Sequence, residues 1–95
     1  MKIPDKIKIG GHWFSIEYKS EKEDRYANRG TSLLWENRII LQKDVGLSRQ
    51  IATLFHEIIH EIDYQYEIAL SERDVSTLAE GIYQVLVDNN FLKEK

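Results

Sequence analysis

Ninety-five residues make a single small domain, 1–95, with room for a modest core and none for a second lobe. Cysteine is absent, which excludes disulfides and thiolate ligands, so any metal ion must be held by histidine and carboxylate. The net charge of −3 with scattered basic residues gives no electrostatic support for a nucleic-acid surface, and no stretch has the apolar length of a signal-peptide core or a membrane span, so the expectation is a cytoplasmic protein that uses neither nucleic acid nor membrane.

From the N-terminus, Lys6-Ile7-Lys8-Ile9 alternates polar and apolar side chains, Gly10-Gly11 permits a tight reversal, and Phe14, Ile16 and Tyr18 resume the alternation. That pattern predicts a β-hairpin. His12, beside the turn, reads as a solvated histidine and stays outside any site. Residues 20–30 pass through Glu21, Lys22, Glu23, Asp24 and Arg25 without an apolar period and read as an exposed loop. Residues 31–35 and 38–42 then read as two strands around Glu36-Asn37, where asparagine tolerates the left-handed backbone of a two-residue turn.

A helix is expected from an N-cap at Ser48 to about Tyr66. On it Ile51, Leu54, Phe55, Ile58, Ile59 and Ile62 share one face, while His56 and His60 lie far round the cylinder from them. After a short connection, Ser71 with Asp74 three residues on forms a capping-box pattern that opens a second helix, ending near Asn89 or Asn90, either of which can supply a left-handed cap. Its apolar residues Val75, Leu78, Ala79, Ile82, Val85 and Leu86 are expected to pack on both the first helix and the sheet. The predicted architecture is α+β: a small antiparallel or mixed sheet of two hairpins, followed by two helices.

The chemistry concentrates in His56-Glu57-Ile58-Ile59-His60. Residues i and i+4 share a helix face, so both imidazoles can point at one tetrahedral ion while Glu57 leans toward the open position. Catalytic zinc usually takes three protein ligands and leaves a fourth place for water, so the third should be an acid. At this point the chain resembles the gluzincin-type zinc metallopeptidases, in particular the small phage and prophage metallopeptidase-like proteins and, more distantly, the ImmA/IrrE group. The resemblance runs from the glycine hairpin to Asn90, and only the His-Glu-x-x-His segment is individually specific.

The family's third-ligand segment, Glu-x-x-Ala-Asp or Glu-x-x-Ala-Asn, matches Glu72-Arg73-Asp74-Val75-Ser76 with Val in place of Ala and Ser in place of the acid or amide. The gap between His60 and Glu72 is 11 residues, shorter than in large gluzincins. The resemblance thus implies zinc on His56, His60 and Glu72, peptide hydrolysis with Glu57 as general base, and an edge strand, expected at 38–41, that pairs with an extended substrate. Helix geometry also favours Glu72 over Glu80, because Glu72 borders the apolar face near the start of the second helix and Glu80 points away.

Tyr64 and Tyr83 are the candidates for an oxyanion donor, and Asp63 could accept from an imidazole N–H. The expected partners are a protein or peptide substrate and a protein that completes a small cleft. Two rival readings are a catalytically silent binding module of phage or prophage origin and a purely structural zinc site, although the latter would leave Glu57 without a task.

Overall fold

Two hairpins, joined side by side, make the sheet. The computed structural model describes residues 2–20, 30–33 and 36–92. Most of the loop expected over 20–30, and the end of the strand expected over 31–35, lie outside the described residues. β1 (Lys6–Ile9) and β2 (His12–Lys19) pair antiparallel with Ile9 opposite His12, which leaves a loop of Gly10 and Gly11 alone. Both glycines have positive φ, 58° and 87°, as a two-residue turn of the right twist requires. β3 (Gly30–Leu33) and β4 (Arg38–Gln42) form the second antiparallel pair; Leu33 lies opposite Arg38, so four residues, 34–37, separate the strands in place of the expected two-residue turn at Glu36-Asn37, although Asn37 does take left-handed backbone, at φ 52°.

The hairpins meet through a parallel pairing of β2 with β4, in the order β1-β2-β4-β3. On the outer face the Arg38 guanidinium grips the Glu17 carboxylate with two 2.7 Å bonds across that seam. The expectation that residues 38–41 form a free edge is therefore corrected. β4 is hydrogen-bonded on both sides, its residues Ile39, Ile40 and Leu41 are buried, and the sheet edges are β1 and β3.

α1 (Leu47–Tyr66) crosses one face of the sheet, over β3, β4 and β1. Its N-cap is Gly46, which has no side-chain cap, and the expected cap Ser48 lies inside the first turn. Leu54 enters the main core with Ile9, Phe14, Ile16, Ile39 and Leu41, and Ile58 and Ile62 pack against that cluster. At about 1.5–3 kcal/mol for each large apolar side chain fully buried, this cluster dominates the stability. The far flank of α1 carries Ile59 and Phe55 into a second, smaller cluster with Leu70 and with Val75 and Ala79 of α2 (Glu72–Asp88).

Ser71 caps α2 through the expected box: its hydroxyl accepts from Asp74 N–H at 3.0 Å and Asp74 accepts from Ser71 N–H at 3.2 Å. Asn90, at φ 61°, supplies the left-handed residue past the other end. α2 touches α1 and no strand, so the predicted contact with the sheet is absent among the described residues. Of the six apolar residues assigned to its inner face, Val75 and Ala79 are buried while Leu78, Ile82 and Val85 stay exposed.

The first hairpin is latched to α1 by Gln65, whose Nε2 donates to Ile9 O at 3.1 Å across the Gly10 turn. A Cβ on Gly10 would lie 1.6 Å from Gln65 Oε1, whereas one on Gly11 meets nothing within 4 Å. Gly10→Ala should therefore lose the latch as well as incurring left-handed strain, a total of about 2–3 kcal/mol. Urea unfolding should show Gly11→Ala costing about 1 kcal/mol less. Equal losses would mean that the latch contributes nothing.

Candidate metal centre

The side chains of His56, His60 and Glu72 converge where the second half of α1 meets the start of α2. One helical turn separates the histidines, whose ring centroids are 4.8 Å apart in an edge-on arrangement. The Glu72 carboxylate lies between them, with Oε1 2.8 Å from His56 Nε2 and Oε2 2.9 Å from His60 Nε2. One ligand atom from each residue falls within 4.8 Å of the others.

This donor set fits a divalent ion of zinc's kind. Two imidazole nitrogens and one carboxylate oxygen are zinc's preferred donors in the absence of thiolate, and three of them leave a position open. Bonds of about 2.0–2.1 Å in a tetrahedron set donors roughly 3.3 Å apart, so small side-chain rotations would suffice. The histidine side chains keep 26% and 33% of their surface, and the Glu72 side chain 67%, so an ion can enter from solvent.

Three features of the connection bring Glu72 to the histidines. Glu67, at φ 54°, ends α1 with a left-handed cap whose N–H bonds Asp63 O. Ile68 N–H reaches the same carbonyl at 3.2 Å, and Leu70 N–H donates to Asp63 Oδ1 at 3.0 Å. Ala69 is also left-handed, at φ 68°. Asp63 thus organises the turn, and the hydrogen bond found on its Oδ1 goes to Leu70 rather than to an imidazole. Its role in the site is to return the chain so that α2 opens beside His60.

Glu57, next to His56 on the helix, is buried, 6% exposed. Burial pushes its carboxyl above the ordinary range, His60 and His56 pull against that, and the Glu72 charge adds to the rise. Glu61, one turn on, is 1% exposed; its Oε2 accepts from Gln65 Nε2 at 3.3 Å, and its Oε1 has no hydrogen-bond partner among the described residues. Sequence reading passed over Glu61, although the helical wheel sets it between Glu57 and Leu54, toward the sheet.

Tyr83 is half-buried, its ring 6.1 Å from that of Phe55 and tilted 42°. Tyr64 is 48% exposed, one turn past His60. Neither is part of the converging triad. Glu80 and His12 are both exposed, and neither belongs to the His56–His60–Glu72 group.

Comparison with known protein families, curated proteins and solved structures finds no match to this chain. No described helix is long and apolar enough to cross a membrane.

Two substitutions test the geometry. A carboxyl whose folded pKa is raised favours folding below its unfolded value, near 4.5, and loses that contribution as pH rises through the folded value. In metal-free protein, Glu57→Gln should therefore melt above wild type at pH 8 and level with it at pH 4; no difference at pH 8 would remove the burial argument. Asp63→Ala should lower stability by about 1–2 kcal/mol and also weaken metal binding, although Asp63 touches neither histidine. Unchanged metal affinity in that variant would show that the turn does not place Glu72.

Proposed function

We propose that the protein is a zinc-dependent metallopeptidase whose ion is held by His56, His60 and Glu72 and whose general base is Glu57. The observation that carries this reading is the meeting of one carboxylate with both imidazole nitrogens, at 2.8 and 2.9 Å, beside a buried glutamate with a raised pKa. Zinc bound there would supply the Lewis acidity that makes water nucleophilic near neutral pH and polarises a peptide carbonyl.

The chain's own residues would do the rest. Glu57, deprived of solvent and therefore a stronger base than an exposed carboxylate, takes one proton from the attacking water. The water oxygen bonds to the carbonyl carbon, the C–N bond breaks, and Glu57 returns the proton to the departing amine. Glu72 and the histidines hold their places because α1 is fixed to the sheet and α2 is fixed to α1. The exposure of the triad suits a flexible protein or peptide segment as substrate. A cytoplasmic site of action accords with this reading. A purely structural ion is disfavoured, since three protein donors do not close a tetrahedron and Glu57 would be buried at a cost without use.

Metal titration and turnover of a peptide library separate the roles. Glu72→Ala should weaken zinc binding at least tenfold, as roughly expected for loss of a ligand, while Glu80→Ala leaves it intact. Glu57→Gln should bind zinc as wild type does but cleave peptides about 10²–10⁴-fold more slowly. Wild-type protein that holds zinc and cleaves no peptide in the library would instead favour a binding role.

A further inference from the structure

α2 has more apolar surface than α1 can cover. Leu78, Ile82 and Val85 keep 45%, 44% and 55% of their surface exposed. With Thr77, Gly81 and Leu86 they line a groove of about 410 Å³ to which, among the described residues, no other element contributes. Asp74, Leu78, Gly81, Val85 and Asp88 follow one another at spacings of four, three, four and three, the repeat by which one helix packs along another. Nothing lies within 4 Å of the place where a side chain on Gly81 would begin, so a backbone can approach closely at the centre of the seam.

We propose that this face docks an amphipathic helix of a partner protein, with an apolar seam and a lysine or arginine at each end of it. Charge selects this occupant. The seam ends in Asp74 and Asp88, and α2 carries four acidic residues against the single base Arg73. A second copy of the chain fits badly in either direction. Antiparallel, with Gly81 on the axis, it sets Asp74 against Asp88 of the other copy; parallel, it sets each aspartate against itself. A basic-ended helix meets attraction at both ends and hydrophobic contact between them. From Asp74 to Asp88 the seam covers 15 residues and about 21 Å, so the partner needs roughly 15 residues of helix. This proposal does not depend on the metal reading.

The test uses the full chain and two synthetic helix-forming 15-residue peptides with leucine along the seam, one with lysine at both ends and one with glutamate. Fluorescence anisotropy should show the lysine-ended peptide binding at least tenfold more tightly. Asp88→Lys should shrink that preference, and Val85→Glu should abolish binding while the unfolding temperature stays close to that of wild type. Sedimentation equilibrium should find the free chain monomeric. Equal affinity for the two peptides, binding of neither, an Asp88→Lys preference like that of wild type, or a dimer that Val85→Glu dissociates would overturn the proposal; the last would identify a second copy as the occupant.

Discussion

One carboxylate set between two imidazoles governs the relation of the two helices. The apolar attachment of α2 is small, centred on Val75 and Ala79, and among the described residues α2 has no strand to lean on. The Glu72 contacts add a polar tie at the end of α2 where the chain has just turned back. That return is tight enough to hold two non-glycine residues, Glu67 and Ala69, in left-handed backbone. Such conformations cost of order 1 kcal/mol or more each and persist where the surroundings over-determine them. The surroundings are the three backbone N–H groups gathered by Asp63 and the burial of Leu70 against the second cluster.

α1 answers to three environments at once. Its sheet side holds Leu54, Ile58 and Ile62, its α2 side Phe55 and Ile59, and between the sheet and the histidines lie two buried glutamates. Burying carboxyl groups is unfavourable, and a buried oxygen left without a partner costs about 1–3 kcal/mol. Glu61 recovers part of this through Gln65, which also holds the Gly10 turn. A polar thread from Glu61 through Gln65 to Ile9 O thus ties the first hairpin to the helix that carries the site.

The parts of this arrangement legible in the sequence are those set by local chemistry. The Gly10-Gly11 turn, the left-handed backbone of Asn37, the Ser71–Asp74 box and the shared face of His56 and His60 each require only a few neighbouring residues and are found, whereas the two-residue length expected for the second hairpin's turn is not. What depends on distant partners was not legible. Strand periodicity identifies two hairpins but not how they join, and the edge expected at 38–41 is instead a strand along which β2 pairs. Likewise, an apolar stripe on a helix shows a preference for burial without showing whether a partner exists, and α2 has one for only part of its stripe. The task of Asp63 was missed because an acid near a metal motif invites a metal-centred reading, whereas its bond closes a turn. Glu80 lies outside the group formed by His56, His60 and Glu72, as its direction on the helix, fixed by period alone, implies.

Placing β4 inside the sheet also determines how the sheet meets other molecules. Its two outer strands, β1 and β3, are four residues each, while the longer β2 pairs with β1 over residues 12–15 and with β4 over residues 15–19. Stacked fibrillar sheets generally draw on uninterrupted segments of about six or seven residues. β1 further alternates Lys6 and Lys8 with its isoleucines, and both ammonium groups sit over Trp13, 4.8 and 5.7 Å from the ring centre. A strand approaching this border would have to pair beside two positive charges and displace them from the indole. The parallel seam therefore holds the apolar run Ile39, Ile40 and Leu41 of β4 between two strands and leaves four-residue strands at the borders, one of them carrying two lysines.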